Sequence, residues 1–127
     1  MFFPESRIRI FLCIKPVDMR RSFDGLSALV KNHLGEDPLS VHLFVFINRR
    51  RTYLKILFFD RSGYCIWAKR LESGQFNFEA VDDVKTCMDW TSLKLLLEGL
   101  DRKQFRQHRR YAHRDNSEDG NEIHAKH

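Results

Sequence analysis

The chain of 127 residues is poor in cysteine and has no long apolar run. Its three cysteines, Cys13, Cys65 and Cys87, are odd in number and lack Cys-x-x-Cys spacing, so we expect neither a disulfide framework nor a zinc site. No apolar run approaches the roughly 18 residues that span a membrane. The first residues lack a basic leader before an apolar block. We therefore expect no signal peptide, no membrane partner and a location in the cytoplasm.

The motifs of common enzyme classes are also missing. The sequence has no glycine-rich phosphate loop, no paired histidine ligands and no Ser/His/Asp arrangement. Four carboxylates could in principle assemble a metal-dependent nuclease site: Asp18, Asp24, Asp60 and Glu72. Each of them has a structural alternative, in a turn, beside a helix start or next to basic residues. We therefore expect no enzymatic activity, no metal and no cofactor.

Composition and charge indicate a folded, basic domain followed by a polar tail. Hydrophobic residues make up 43% of the chain and include 11 Phe, which excludes a disordered protein. Residues 1–60 hold 10 Lys/Arg and 6 Asp/Glu, a net charge of +4. We expect one domain over residues 1–101 and a tail over residues 102–127, basic at first and then acidic. The tail is either an arm that touches a polyanion or a solvated, unstructured C-terminus.

The segment from residue 42 to residue 76 predicts an antiparallel meander. Residues 43–47, 53–59 and 64–68 are rich in β-branched and aromatic side chains, and turn residues separate them. The first turn places Arg49, Arg50 and Arg51 at one end of the sheet. The second hairpin has two candidate registers: a glycine bulge places Lys55 opposite Lys69, and a two-residue loop places Lys55 opposite Ala68.

Patterns outside the meander complete an α+β fold. We expect a first strand over residues 7–14, a helix over residues 23–34 capped by Ser22, and a last helix over residues 92–99 capped by Thr91. Residues 75–78 read as a short strand and residues 79–88 as a loop or helical turn. The predicted architecture is an antiparallel β-meander sheet of about four to five strands with two packed helices. Because the strands are apolar on both sides, we expect the helices to cover one face. A curled sheet edge, the tail or a partner would then cover the other face, which leaves room for a homo-oligomer.

Several motifs in this order resemble one protein family. The pattern DMR..FDGL lies at residues 18–26, AKRLE.G.F at residues 68–76 and LLEGLD at residues 96–101, with HLFVF and RRR between the first two. Together they resemble the small second-open-reading-frame protein of the insertion sequence 66 family of bacterial transposons. The resemblance implies a non-catalytic accessory protein that supports transposition beside a separate, larger transposase.

The basic residues suggest how such a protein would act. We expect weakly sequence-specific contacts with DNA phosphates from Arg20, Arg21, Arg49, Arg50, Arg51, Lys55, Lys69 and Arg70. For the two lysines the structural alternative is a packed stem with a solvated head. For Arg20 the choice lies between a phosphate shared with a helix N-terminus and an internal ion pair with Asp18.

A second function from a different class remains open. The protein could be an adaptor that docks on the transposase through exposed aromatic residues such as Tyr53, Tyr64 and Trp67, without touching DNA. A basic face would favour DNA binding, whereas a large exposed apolar patch would favour the adaptor.

Overall fold

The computed structural model describes residues 7–80 and 82–99, and within them it forms a five-stranded sheet and two helices. The elements are, in chain order, β1 (Ile10–Cys13), α1 (Phe23–Asn32), β2 (Leu43–Ile47), β3 (Tyr53–Asp60), β4 (Gly63–Arg70), β5 (Lys85–Met88) and α2 (Trp90–Glu98). The strands lie side by side in the order β4-β3-β2-β1-β5. The predicted α+β class is confirmed.

The sheet is mixed, so the predicted purely antiparallel arrangement is only partly right. Strands β2, β3 and β4 form the expected antiparallel meander. Strand β1 instead pairs in parallel with β2, with Ile10 opposite Leu43. A parallel pair needs a long crossover connection, usually a helix, and α1 supplies it.

The far edge of the sheet corrects two local predictions. Residues 85–88 were expected in a loop or helical turn, but they form β5, which pairs antiparallel with β1. Strand β5 has only four residues, Lys-Thr-Cys-Met, and its sequence alone gives no clear strand pattern. It forms where β1 offers a free edge for pairing. Residues 75–78 form no strand. Phe76 there is fully buried, and its N–H donates to the carbonyl of Arg51 at 2.7 Å.

The two helices cover opposite faces of the sheet, so the expectation that both cover one face is wrong. Leu26 and Val30 of α1 pack on the face that carries Phe44 and Leu57. On the other face, α2 contributes Leu93 and Leu96 to a second cluster. That second cluster also contains Ile10, Leu12, Val45, Leu54 and Ile56. The strands are apolar on both sides because each side meets a helix.

The helix ends differ in how they are capped. Ser22 is the N-cap of α1, as predicted, but its side chain makes no capping hydrogen bond. The predicted cap of α2, Thr91, is wrong, because Asp89 occupies that position and its carboxylate accepts from the N–H of Ser92 at 2.7 Å. That bond lowers the pKa of Asp89. Gly99 ends α2 in the left-handed conformation with φ 63°.

The β3–β4 hairpin has the register of a two-residue loop. Asp60 lies opposite Gly63 and Lys55 opposite Ala68, which excludes the bulged alternative with facing lysines. Arg61 adopts a left-handed φ of 56° in the loop. No helix among the described residues is long and apolar enough to cross a membrane. The predicted tail, residues 102–127, lies outside the described residues.

Replacing Asp89 with alanine should lower the free energy of unfolding by about 1 kcal/mol, because the N–H of Ser92 loses its acceptor. Asp89→Asn is the matched control, since asparagine caps helices about as well. Urea unfolding near neutral pH gives both values. Because the folded-state pKa of Asp89 is depressed, the charged cap's contribution is complete above the ordinary pKa of 3.8 and is lost as the pH falls through the folded value. Equal stability of the alanine variant and wild type would contradict this assignment.

Candidate functional site

The β2–β3 turn, residues 48–52, is held rigid by the side chain of Asn48. Its Oδ1 accepts from the backbone N–H groups of Thr52 at 2.9 Å and Tyr53 at 3.1 Å. Its Nδ2 also reaches the hydroxyl of Thr52 at 3.3 Å. Arg49 and Arg50 of the same turn are exposed.

The β1–α1 loop, residues 14–22, runs beside that turn. The N–H of Val17 donates to the carbonyl of Ile47 at 3.0 Å, and the side chains of Val17 and Met19 are buried in the core under α1. Lys55 reaches up from β3, and its Nζ donates to the carbonyls of Met19 at 2.6 Å and Arg21 at 2.9 Å. Three hydrogen bonds therefore tie this loop to the sheet next to the arginine turn.

The two loops enclose an open groove with a volume of about 590 Å³. Three of the predicted site residues line it: Arg20 from the β1–α1 loop, and Arg49 and Arg50 from the turn. The remaining lining residues are Pro16, Val17, Asp18, Met19, Asn48 and Tyr53. We call this feature the basic groove. Its lining contains three guanidinium groups and one carboxylate, so its net charge is positive.

Asp18 and Arg20 form an ion pair at the rim of the basic groove. The guanidinium of Arg20 donates to both carboxylate oxygens, with Nη2 2.7 Å from Oδ2 and Nε 3.1 Å from Oδ1. The hydrogen bonds from Arg20 lower the pKa of Asp18 to about 2. The side chain of Arg20 is nevertheless 92% exposed, so the pair is a surface contact. Arg20 therefore has a protein partner and remains open to solvent, and the structure excludes the alternative of a buried pair.

Two further arginines flank the basic groove. Arg70 lies opposite Tyr53 in the antiparallel β3–β4 pair, so its side chain belongs to the same face and the same end of the sheet. Arg21 is exposed at the start of α1. A Cβ at Gly25, in the first turn of α1, would lie 3.3 Å from the Cβ and Cγ of Arg21, so Arg21 packs closely over this glycine.

The other three predicted site residues contact the protein itself. The guanidinium of Arg51 lies 4.1 Å from the centre of the Phe78 ring, a cation–π contact. The Nζ of Lys69 donates to the carbonyl of Leu97 at 2.7 Å, where a cation also complements the C-terminal end of α2. Lys55 is the third, through its bonds to the β1–α1 loop. The structural alternative of a packed stem with a solvated ammonium group is therefore wrong for both lysines, because each ammonium group donates to at least one backbone carbonyl.

The sequence alone did not identify Asn48, Val17 and Met19 as parts of the basic groove. The role of Asn48 in fixing the turn was predictable from its position just before the three arginines. Asparagine side chains commonly accept hydrogen bonds from backbone N–H groups of a turn, as Asn48 does from Thr52. No local signal predicts that Val17 and Met19 line the same groove as Arg49. That juxtaposition follows from the parallel pairing of β1 with β2.

Two of the four candidate nuclease carboxylates, Asp18 and Asp60, have structural roles in separate places. Asp18 pairs with Arg20, and Asp60 closes the β3–β4 hairpin opposite Gly63. Within residues 7–80 and 82–99, no three His, Cys, Asp or Glu side chains are close enough together to hold a metal ion.

Comparison with known proteins agrees with the resemblance seen in the motifs. The family described as IS66 Orf2 like protein matches residues 8–107, so the chain belongs to that family of transposition-associated accessory proteins. Two relatives come from Sinorhizobium fredii (strain NBRC 101917 / NGR234). Uncharacterized protein y4jC is 40% identical over 101 residues, covering 80% of this chain and 86% of the relative. Uncharacterized protein y4hO is 32% identical over 96 residues, covering 76% and 84%. No solved structure matches the chain.

Arg20→Ala should raise the pKa of Asp18 from about 2 towards the ordinary value of 3.8, because Arg20 supplies the largest causes of the shift. The pair stabilises the folded protein fully above pH 3.8, and this contribution is lost as the pH falls towards 2. A carboxylate titration by NMR measures the shift. Arg21→Ala is the control, since Arg21 contributes only the smallest cause. An unchanged Asp18 pKa in Arg20→Ala would contradict the pairing.

Proposed function

We propose that this accessory protein assists transposition by binding DNA phosphates in the basic groove, without catalysing a reaction. The observation that supports this proposal best is the convergence of Arg20, Arg49 and Arg50 on one open groove from two loops that are distant in sequence. Arg21 and Arg70 extend the positive charge along the same end of the sheet.

The chemistry of the lining suits phosphate. A guanidinium presents a planar fork of N–H donors that matches two oxygens of a phosphate, and it remains charged at all working pH values. Arg49 and Arg50 project from a turn whose backbone is already ordered by Asn48. Little further ordering of the backbone is therefore needed on binding. Contacts of this kind position a protein on DNA but read little sequence.

Asp18 restrains binding in this proposal. Its carboxylate occupies the guanidinium of Arg20 and adds a negative charge to the basic groove. A phosphate must compete with it for Arg20. Arg51, Lys55 and Lys69 have supporting roles, because their cationic groups are engaged by Phe78 and by backbone carbonyls.

The adaptor remains as a second candidate because of Trp67. Of the three aromatic residues considered for docking, Tyr53 is half-buried in the basic groove and Tyr64 packs edge-on against Phe59 at 5.3 Å. Trp67 is 44% exposed on β4, which forms one edge of the sheet. A transposase surface that docks on this edge would contact Trp67.

The double variant Arg49→Gln/Arg50→Gln should weaken binding to duplex DNA to a similar degree on element-end and random sequences. The logarithmic dependence of affinity on salt should flatten by about 0.9 for each phosphate contact removed. Electrophoretic or anisotropy titrations across a salt series measure both quantities. Asp18→Asn should act in the opposite direction and strengthen binding, because it frees Arg20 and keeps an oxygen for the turn bond from the Arg20 N–H.

Lys31→Gln/Lys94→Gln is the matched control, since it removes the same charge from exposed positions on the two helices. A purely global charge effect would weaken DNA binding equally in both double variants and would contradict a groove-specific contact. The adaptor function would be favoured instead by two results together. The wild-type protein would bind no DNA, and Trp67→Ala would lose binding to the transposase.

A further inference from the structure

The basic groove contains more than a phosphate site requires. Its lining includes the side chains of Pro16, Val17, Met19 and Tyr53 besides the arginines. Val17 and Met19 are 6% and 9% exposed, so they form a floor at the edge of the core under α1. An apolar floor offers no favourable contact to a phosphate, whereas the flat face of a nucleobase can pack against it.

Tyr53 is the aromatic residue of this floor, and its backbone is fixed on both sides. Its carbonyl accepts from the N–H of Asn48 at 3.0 Å, and its own N–H donates to Asn48 Oδ1 at 3.1 Å. On the other side it pairs with Arg70 of β4. The Nζ of Lys55 lies 5.8 Å from the centre of the ring. These contacts fix the backbone that bears the ring, and the Lys55 ammonium lies beside the ring.

The dimensions favour a small unit of nucleic acid. A volume of about 590 Å³ lies within the range of roughly 300–1,000 Å³ typical of small-molecule pockets. The phosphates of a duplex can contact the exposed arginines of such a groove, but a paired base cannot reach its floor. In a duplex the base faces are stacked on one another and hidden. In a single strand they are free, and proteins bind them by combining a basic groove with aromatic side chains on which bases stack.

We propose that the basic groove binds single-stranded DNA, with an unpaired base stacked on Tyr53 and the adjoining phosphates held by Arg49 and Arg50. This inference rests on the proposed function and deepens it, because it names the form of DNA that the same groove accepts. The apolar floor and Tyr53 bind the base, and the exposed guanidinium groups bind the backbone.

An abasic oligonucleotide tests the inference on the wild-type protein. Fluorescence anisotropy would compare a labelled thymidine strand of about 12 nucleotides with an abasic strand of the same length and with a hairpin duplex. The two strands carry the same phosphates and differ only in their bases. Loss of one stacked base should weaken binding roughly 5- to 150-fold, so the thymidine strand should bind more tightly than the abasic strand by that factor. The hairpin duplex should bind more weakly than the thymidine strand.

Variants at Tyr53 then locate the stacking. Tyr53→Leu should remove the preference for the thymidine strand over the abasic strand, and Tyr53→Phe and Tyr53→Trp should keep it. Tyr64→Leu is the matched control, since Tyr64 is another half-buried tyrosine of the sheet, packed against Phe59 away from the basic groove. If Tyr53→Leu fails to fold, the wild-type comparison of the two strands decides the question alone.

Other outcomes would overturn the inference. Equal affinity of the wild-type protein for the thymidine and abasic strands would exclude base stacking. If Arg49→Gln/Arg50→Gln then weakened binding of both strands equally, the proposed phosphate contacts would be supported and the base stacking would be excluded. Thymidine monophosphate that competes as effectively as the strand would show a nucleotide pocket instead. Failure to bind any of the three DNA probes would contradict both proposals.

Discussion

The ammonium group of Lys55 holds together the two loops on which the basic groove depends. Its Nζ donates to the carbonyls of Met19 and Arg21, and the N–H of Val17 in the same loop donates to the carbonyl of Ile47. Hydrogen bonds that involve a charged group contribute roughly 1.5–3 kcal/mol, about twice as much as neutral ones. Together with the Val17 hydrogen bond and the buried side chain of Met19, Lys55 therefore fixes the loop that bears Arg20 beside the arginine turn.

The topology explains why a groove lies at this end of the molecule. Strands β1 and β2 are parallel neighbours, so their carboxyl ends, Cys13 and Ile47, lie at the same end of the sheet. The chain leaves β1 towards α1 and leaves β2 into the arginine turn. In sheets with parallel strands, ligands commonly bind outside the carboxyl ends of the strands. The mixed sheet and the candidate site thus have a common origin in the β1-α1-β2 crossover.

The sequence predicts what is local and misses what is long-range. The strands of the meander, the first helix and the arginine turn follow from alternation, aromatic content and turn residues close together in the chain. Strand β5 could not be predicted, because its four residues show no clear strand pattern and pair only where β1 offers a free edge. The interior bonds of Lys55 and Lys69 join residues 36 and 28 positions apart, so charge patterning alone places both lysines on the surface. Tyr53 was predicted to be an exposed aromatic residue, and the groove around it depends on the crossover.

In the proposed function, residues 16–21 and 48–53 bind DNA as one site. Titration of the isotope-labelled protein with short DNA, followed by backbone amide chemical shifts in NMR spectra, tests it most directly. We predict that the amides of both loops shift together and saturate with a single Kd. Shifts confined to one loop, to the edge strand β4 around Trp67 or to residues 102–114 would show that the two loops do not bind DNA as one site.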